Sequence, residues 1–182
     1  MSWKERVGLM ARSKKWFMKF SDVKKVDIAP FNPNHVVLAE AYIRKLQKTI
    51  GGNVEIEHRG ATALGISGKG EIDLDVRAPS NRFDSILKKM MDHHFPEQGK
   101  IEHNRVRFND KYRGIIIEIQ LVRKGSVIDR DDTTVFNYLN DHPRTLKQYE
   151  KLKIKYSNTS KREYYVQKDK FYRRIIKKAK KK

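Results

Sequence analysis

A chain of 182 residues is long enough for one domain with a sizeable core, and 41 Lys and Arg against 22 Asp and Glu give it a formal charge of +19. It has no cysteine, which excludes disulfides, thiolate zinc sites and cysteine nucleophiles, and no apolar run approaches the ~18 residues of a membrane span. The positive excess points to a polyanionic partner such as RNA or another nucleic acid, because each neutralised phosphate releases condensed counterions.

Residues 1–25 read as a basic arm bearing Trp3, Trp16, Phe17 and Phe20. Trp16, Phe20 and Val23 fall at about helical spacing, so part of the arm can dock as an amphipathic helix; a packed extension and a binding arm both remain open. The arm lacks the continuous apolar core of a secretory signal, so the expected location is the cytoplasm. The domain proper spans residues 26–179 and opens on Val26-Asp27-Ile28-Ala29-Pro30-Phe31-Asn32-Pro33. Asn32 is placed to cap a helix starting at Pro33, with Val36, Ala39, Ile43, Leu46 and Ile50 as its apolar stripe and Gly51-Gly52 as its stop. Val54 to His58 reads as a strand, Gly60 to Gly70 as a small-residue loop, and Glu71 to Arg77 as a second strand.

Ser80 can cap the next helix, with Phe83, Ile86, Leu87 and Met90 inward. His93-His94 has no partner at ligand spacing and reads as helix surface. Asn104 to Phe108 and Gly114 to Val122 suggest a hairpin turning near Asn109-Asp110. After Asp129 the pattern becomes helical. Phe136, Tyr138 and Leu139 mark a short helix, Pro143 starts another through Leu146, Tyr149, Leu152 and Tyr156, and a last one carries Tyr164, Phe171 and Ile175. The lysine run from Lys177 to Lys182 is expected to fray, with residues 180–182 as a tail. The class is α/β (α+β): a short mixed sheet with helices on one face and a helical C-terminal portion.

The chemistry concentrates in the second strand. Ile72, Leu74 and Val76 alternate with Asp73 and Asp75, so both carboxylates point off the face opposite the core. Two oxygen ligands at that spacing can hold a hard cation, Mg²⁺ or Mn²⁺, with triphosphate and water oxygens completing its shell. Gly60 lies thirteen residues before Asp73 across a loop containing Gly65, Gly68 and Gly70, whose amides could approach phosphate oxygens. Lys69 sits in that loop, suited to a phosphate. Glu118 projects with Ile116 and Gln120 from the polar face of a later strand whose Ile115, Ile117, Ile119 and Leu121 share the other face. It is a third candidate carboxylate, as metal ligand or base. Arg105 and Arg107 can face a triphosphate from the hairpin, and His58 adjoins the Gly60 turn. The sequence contains no G-x-x-x-x-G-K-[ST], no G-x-S-x-G and no zinc spacing.

Gly60-Ala61, the thirteen-residue step, Asp73-Leu74-Asp75 and a later acid together resemble the signature of the nucleotidyltransferase superfamily. More narrowly, the chain resembles the GrpB family. Pro30-Phe31-Asn32-Pro33-Asn34 is similar to its opening, Glu57-His58-Arg59-Gly60-Ala61-Thr62-Ala63 to its Glu-His-Ile-Gly-Ser-Thr-Ala element, and Lys69-Gly70-Glu71-Ile72-Asp73 to its Lys-Pro-x-Ile-Asp. Phe136-Asn137-Tyr138-Leu139, His142-Pro143, Tyr149-Glu150-Lys151-Leu152-Lys153, Tyr164, Lys168 and Phe171 follow its C-terminal pattern. The chain departs from it at Ala61, where the family has serine, at Gly65 and Gly70, where it has Pro-Gly and proline, and at Glu118, where histidine is common.

The resemblance implies Mg²⁺-dependent transfer of a nucleotidyl group from a nucleoside triphosphate to an acceptor hydroxyl. Asp73, Asp75 and Glu118 would be the metal and catalytic residues, and Gly60, Ala61, Thr62, Lys69, Arg105, Arg107 and Lys168 would bind the nucleotide. The alternative is a non-catalytic nucleic-acid-binding module on a degenerate transferase fold, supported by the charge and by Ala61.

Overall fold

The computed structural model describes residues 14–51, 54–93, 97–98 and 104–180. Trp3 and the rest of residues 1–13, Gly52, His94 and residues 181–182 lie outside the described residues.

Five strands form one mixed sheet in the order β1-β2-β5-β4-β3: β1 Glu55–Arg59, β2 Ile72–Ala78, β3 Glu97–Gln98, β4 Arg105–Tyr112 and β5 Ile115–Arg123. The central pair β2–β5 is parallel and its flanking pairs are antiparallel. Alternation along the strands works as expected. Ile72, Leu74, Val76, Val106, Ile117, Ile119 and Leu121 are fully buried, on one face under α2 (Asn34–Ile50) and α4 (Phe83–Asp92). These helices contribute Ala39, Tyr42, Leu46, Ile50, Phe83, Ile86 and Met90 to that core.

Local details differ from the sequence pattern for identifiable reasons. Pro33 already has helical dihedrals but precedes the first helical residue, and Asn32 accepts the Asn34 amide at 3.0 Å. Helix α2 buries His35 and Tyr42, whereas Val36 is only half-buried, because the Tyr42 hydroxyl donates to Asp110 at 2.5 Å and so can enter the core. Ser80 does not cap α4; Arg82 occupies that position and forms no side-chain cap. The hairpin turns at Arg113-Gly114, not Asn109-Asp110. Both turn residues have positive φ, 49° and 86°, the two-residue geometry that matches strand twist.

The C-terminal portion comprises α5 (Val127–Asp141), α6 (Pro143–Lys155) and α7 (Lys161–Ala179). Helix α5 is not short: Ser126 caps it by accepting the Asp129 amide, and it runs for 15 residues. Helix α7 includes Lys177 and Lys178, so the lysine run frays later than expected. A second apolar cluster of Ile66, Val135, Leu139, Tyr149, Phe171, Ile175 and Ile176 binds the three helices to the loop after the one-turn helix α3 (Gly60–Ala63). Arg77 ties this portion to the sheet, reaching Asp129 at 2.7 and 3.2 Å and Glu55 at 2.5 Å.

The described part of the arm is docked. Its helix α1 covers only Lys14–Phe17, and Val23 remains 88% exposed. Among the described residues, no helix is long and apolar enough to cross a membrane.

Candidate functional site

The polar face of β2 and β5 forms the floor of a cleft roofed by α5, α6 and α7. Its volume is about 160 Å³, an order of magnitude above the ~10–15 Å³ that admits one water. In the sheet, Asp73 stands beside Glu118 across the parallel pair and beside Arg59 across the antiparallel one. Carboxylate oxygens of Glu71, Asp73 and Glu118 lie within 4.8 Å of one another. Ligand oxygens around an ion with 2.0–2.1 Å bonds are separated by roughly 3–4 Å, so small side-chain movements would suffice to close this trio on Mg²⁺.

Gly60 is required by its neighbour. A Cβ there would fall 1.8 Å from Asp73 Oδ2, and its φ of +70° suits glycine. The thirteen-residue step thus reflects a carboxylate seated directly on the glycine backbone. Burial, then Glu118 and Glu71, push the Asp73 carboxyl up to about 7. Asp75, the next polar position on the strand, lies outside the trio. Arg59 Nε is 3.7 Å from its Oδ2, and burial followed by the charge of Asp132 raises its pKa well above the ordinary aspartate value. That Arg59 nitrogen is buried without a hydrogen bond, and its guanidinium lies 4.5 Å from the centre of the Phe136 ring.

Facing the acids are cations from three separate elements. Lys69 is paired with Glu71 and donates to the Tyr165 hydroxyl at 3.2 Å. Burial opposes its charge, but Tyr165, Glu71, Glu118 and Asp73 prevail and raise its pKa. Lys168 behaves likewise, with Tyr172, Tyr164, Tyr165 and Asp73 outweighing burial. Lys153 on α6 is the opposite case. It is 3% exposed, and burial followed by repulsion from Lys168 pushes its ammonium down to about 7. Arg105 and Arg107 also line the cleft, with Arg107 Nε 3.3 Å from Glu118.

Among the expected site residues, Asp73, Asp75, Glu118, Gly60, Ala61, Lys69, Arg105, Arg107 and Lys168 all border this cleft. Thr62 does not: it is 4% exposed and its hydroxyl lies 2.8 Å from His58 Nε2. Burial, then His35, lower the His58 pKa to about 4, leaving a neutral ring that anchors α3. Four of the loop amides are also occupied. Those of Gly65 and Ile66 bond to Thr62 and Ala61 carbonyls, Ser67 donates to Glu150, and Gly68 pairs with Ala29. Residues 65–68 therefore position Lys69 rather than presenting a row of free donors.

Sequence reasoning missed Glu71 and Lys153. Glu71 shares the strand parity of Asp73 and Asp75, a signal available in the sequence. Lys153 shares the helical stripe of Leu146 and Tyr149, at i, i+3 and i+7.

Residues 25–178 match the family described as GrpB protein. The chain belongs to the GrpB family. The chain is similar in fold to conserved protein GrpB from Enterococcus faecalis, whose crystal structure aligns with a TM-score of 0.62 at 17% identity. That alignment covers 84% of this chain and 96% of the other. No curated protein matches the chain. The family assignment is consistent with the nucleotidyltransferase superfamily.

Proposed function

We propose that this GrpB-family chain transfers a nucleotidyl group from a Mg²⁺-bound nucleoside triphosphate to an acceptor hydroxyl. The observation that carries the reading is the convergence of Glu71, Asp73 and Glu118 opposite Lys69, Lys153 and Lys168. The carboxylates suit a hard divalent cation, and the lysines suit the triphosphate it accompanies. When bound, Mg²⁺ or Mn²⁺ would neutralise phosphate charge and polarise the α-phosphoryl group.

The protein's own contribution is position. Lys69, Lys153 and Lys168 meet the phosphate oxygens, and Gly60 lets Asp73 lie flat against the backbone. The acceptor oxygen bonds to the α-phosphorus while the bond to the bridging oxygen of departing pyrophosphate breaks. Asp75, beyond the trio and beside Arg59, receives the hydroxyl proton. Ala61 fits this arrangement despite the lost hydroxyl: its Cβ packs over Gly68, where an added Cβ would lie only 2.7 Å from it.

The test is thermal shift and calorimetry with Mg²⁺ or Mn²⁺, alone and with each nucleoside triphosphate. A rise in Tm that Asp73→Asn and Glu118→Gln abolish supports the reading. Binding of RNA that weakens steeply with salt, with no nucleotide or metal response, would favour the non-catalytic nucleic-acid module that the +19 charge suggests.

A further inference from the structure

One wall of the cleft comes from outside the family's matched segment. Trp16 and Phe20 line it, although residues 14–24 precede the match that begins at residue 25. This stretch is a fixed strap. Arg162 of α7 donates to the carbonyls of Phe20 at 3.2 Å and Met18 at 3.3 Å and pairs with Asp22. The amides of Arg162 and Lys161 reach Ser21 and Lys24 carbonyls at 3.2 and 2.8 Å, and Phe17 is buried beneath.

The strap meets the phosphate-facing residues directly. Phe20 stacks on Tyr165, with ring centres 4.3 Å apart and planes 22° apart, and Tyr165 is the hydroxyl that accepts from Lys69. Trp16 packs edgewise on Phe20 at 4.9 Å, and both rings are half-buried. Lys19 sits 4.3 Å from the centre of the Trp16 ring. Aromatic surface is thereby held beside a lysine of the phosphate cradle, in a cleft that the acids and lysines also line. A ligand that joins a flat ring to a polyanion matches that juxtaposition.

We propose that residues 14–24 complete the binding site, and that Trp16 and Phe20 form the wall against which the base of a nucleoside triphosphate packs. This rests on the metal and phosphate reading above and adds to it where the base goes. Every base has a π-face, so stacking holds bases with little preference among them.

The chain has two tryptophans, so Trp3→Phe makes Trp16 the sole reporter. In that background, each nucleoside triphosphate and inorganic tripolyphosphate are titrated with Mg²⁺ present. The nucleotides should quench Trp16 fluorescence and bind more tightly than tripolyphosphate. Measured by calorimetry, which needs no tryptophan, Trp16→Leu/Phe20→Leu should weaken nucleotide binding roughly tenfold and leave tripolyphosphate binding unchanged. Trp16→Phe, which keeps a ring, should restore most of the affinity.

Tripolyphosphate binding with no tighter nucleotide binding, no quench, or equal losses for both ligands in the Leu variant would overturn the proposal while sparing the metal and phosphate site. Failure of both ligands to bind wild type would overturn both.

Discussion

Along β2, Ile72, Leu74 and Val76 have no exposed surface, while Asp73 and Asp75 on the opposite side, with Glu71 just before the strand, border a cleft and crowd like charges together. The first face is sealed under α2 and α4 and contributes stability through burial. The second holds carboxylates whose burial and mutual repulsion Lys69 and Lys168 offset only in part, so it costs stability until a metal cation enters. One strand thus carries both, separated by nothing more than the alternation of its side chains. Mutations on the two faces should consequently move stability and metal response in opposite senses.

The largest contrast is Leu74→Ala against Asp73→Asn. Leu74→Ala opens a cavity in the sealed core and should cost about 2–5 kcal/mol in denaturant unfolding, leaving the Mg²⁺-dependent rise in Tm unchanged in size. Asp73→Asn should raise the Tm of the metal-free protein at pH 8 and abolish the metal increment. The sign follows from a folded pKa of about 7 against an ordinary value of 3.8. Below pH 4 the group is neutral in both states and costs nothing; between 4 and 7 the folded state binds the extra proton and stability falls as pH rises. Above 7 the penalty is complete. The Asn gain should therefore be greatest at pH 8 and vanish toward pH 4.

The next effect separates backbone strain from contact with the carboxylate. Gly60 and Gly65 have nearly equal φ, +70° and +67°, yet an added Cβ meets Asp73 at the first and nothing within 4 Å at the second. Alanine at either should cost about 1–3 kcal/mol from conformation alone. Only Gly60→Ala should also displace Asp73 and reduce the Mg²⁺ increment. Equal metal responses in the two variants would remove the glycine–aspartate contact from the site.

How much of this was legible depended on whether a residue's partner lay on its own element. The parity of Ile72 to Val76 and of Ile115 to Leu121 placed the core and the cleft floor correctly, because alternation is a local rule. The spacing from Gly60 to Asp73 marked the turn beside the acids, but the carboxylate resting on the glycine backbone was not foreseen. Long-range polar contacts hid the rest. Asn109-Asp110 looks like a turn because both residue types favour turns, yet Asp110 has the inward parity of Val106 and Phe108 and accepts from Tyr42 on α2. Thr62 reads as a phosphate ligand until His58 is seen beside it. The loop glycines suggest free amides, but Ala29 takes the amide of Gly68 and Glu150 that of Ser67 beside it, both partners distant in sequence. Lys153 occupies an apolar stripe where a lysine looks misplaced, and only the assembled cleft explains it.

Lys153 also offers the finest test of the difference between the faces, because it is a cation buried on the side that accommodates charge. Its folded pKa of about 7 lies below the ordinary lysine value of 10.5, through burial first and Lys168 second, with Lys69 adding to the repulsion and Asp73 and Glu71 opposing it. Between pH 7 and 10.5 the unfolded chain binds the proton that the folded chain has lost, so this group makes stability rise with pH across that window. Lys153→Met removes the term. The variant should melt higher than wild type at pH 6, by a few degrees at about 2–4 °C per kcal/mol, and the difference should shrink toward pH 10. The same substitution should weaken binding of tripolyphosphate, since an entering polyanion favours the charged amine and draws a proton from solution near pH 8. Calorimetry in buffers of different ionisation enthalpy would register that uptake in wild type and its loss in the variant. If Lys153→Met melted lower than wild type at every pH and bound tripolyphosphate normally, the lysine would be a packing element of α6 rather than part of the phosphate cradle.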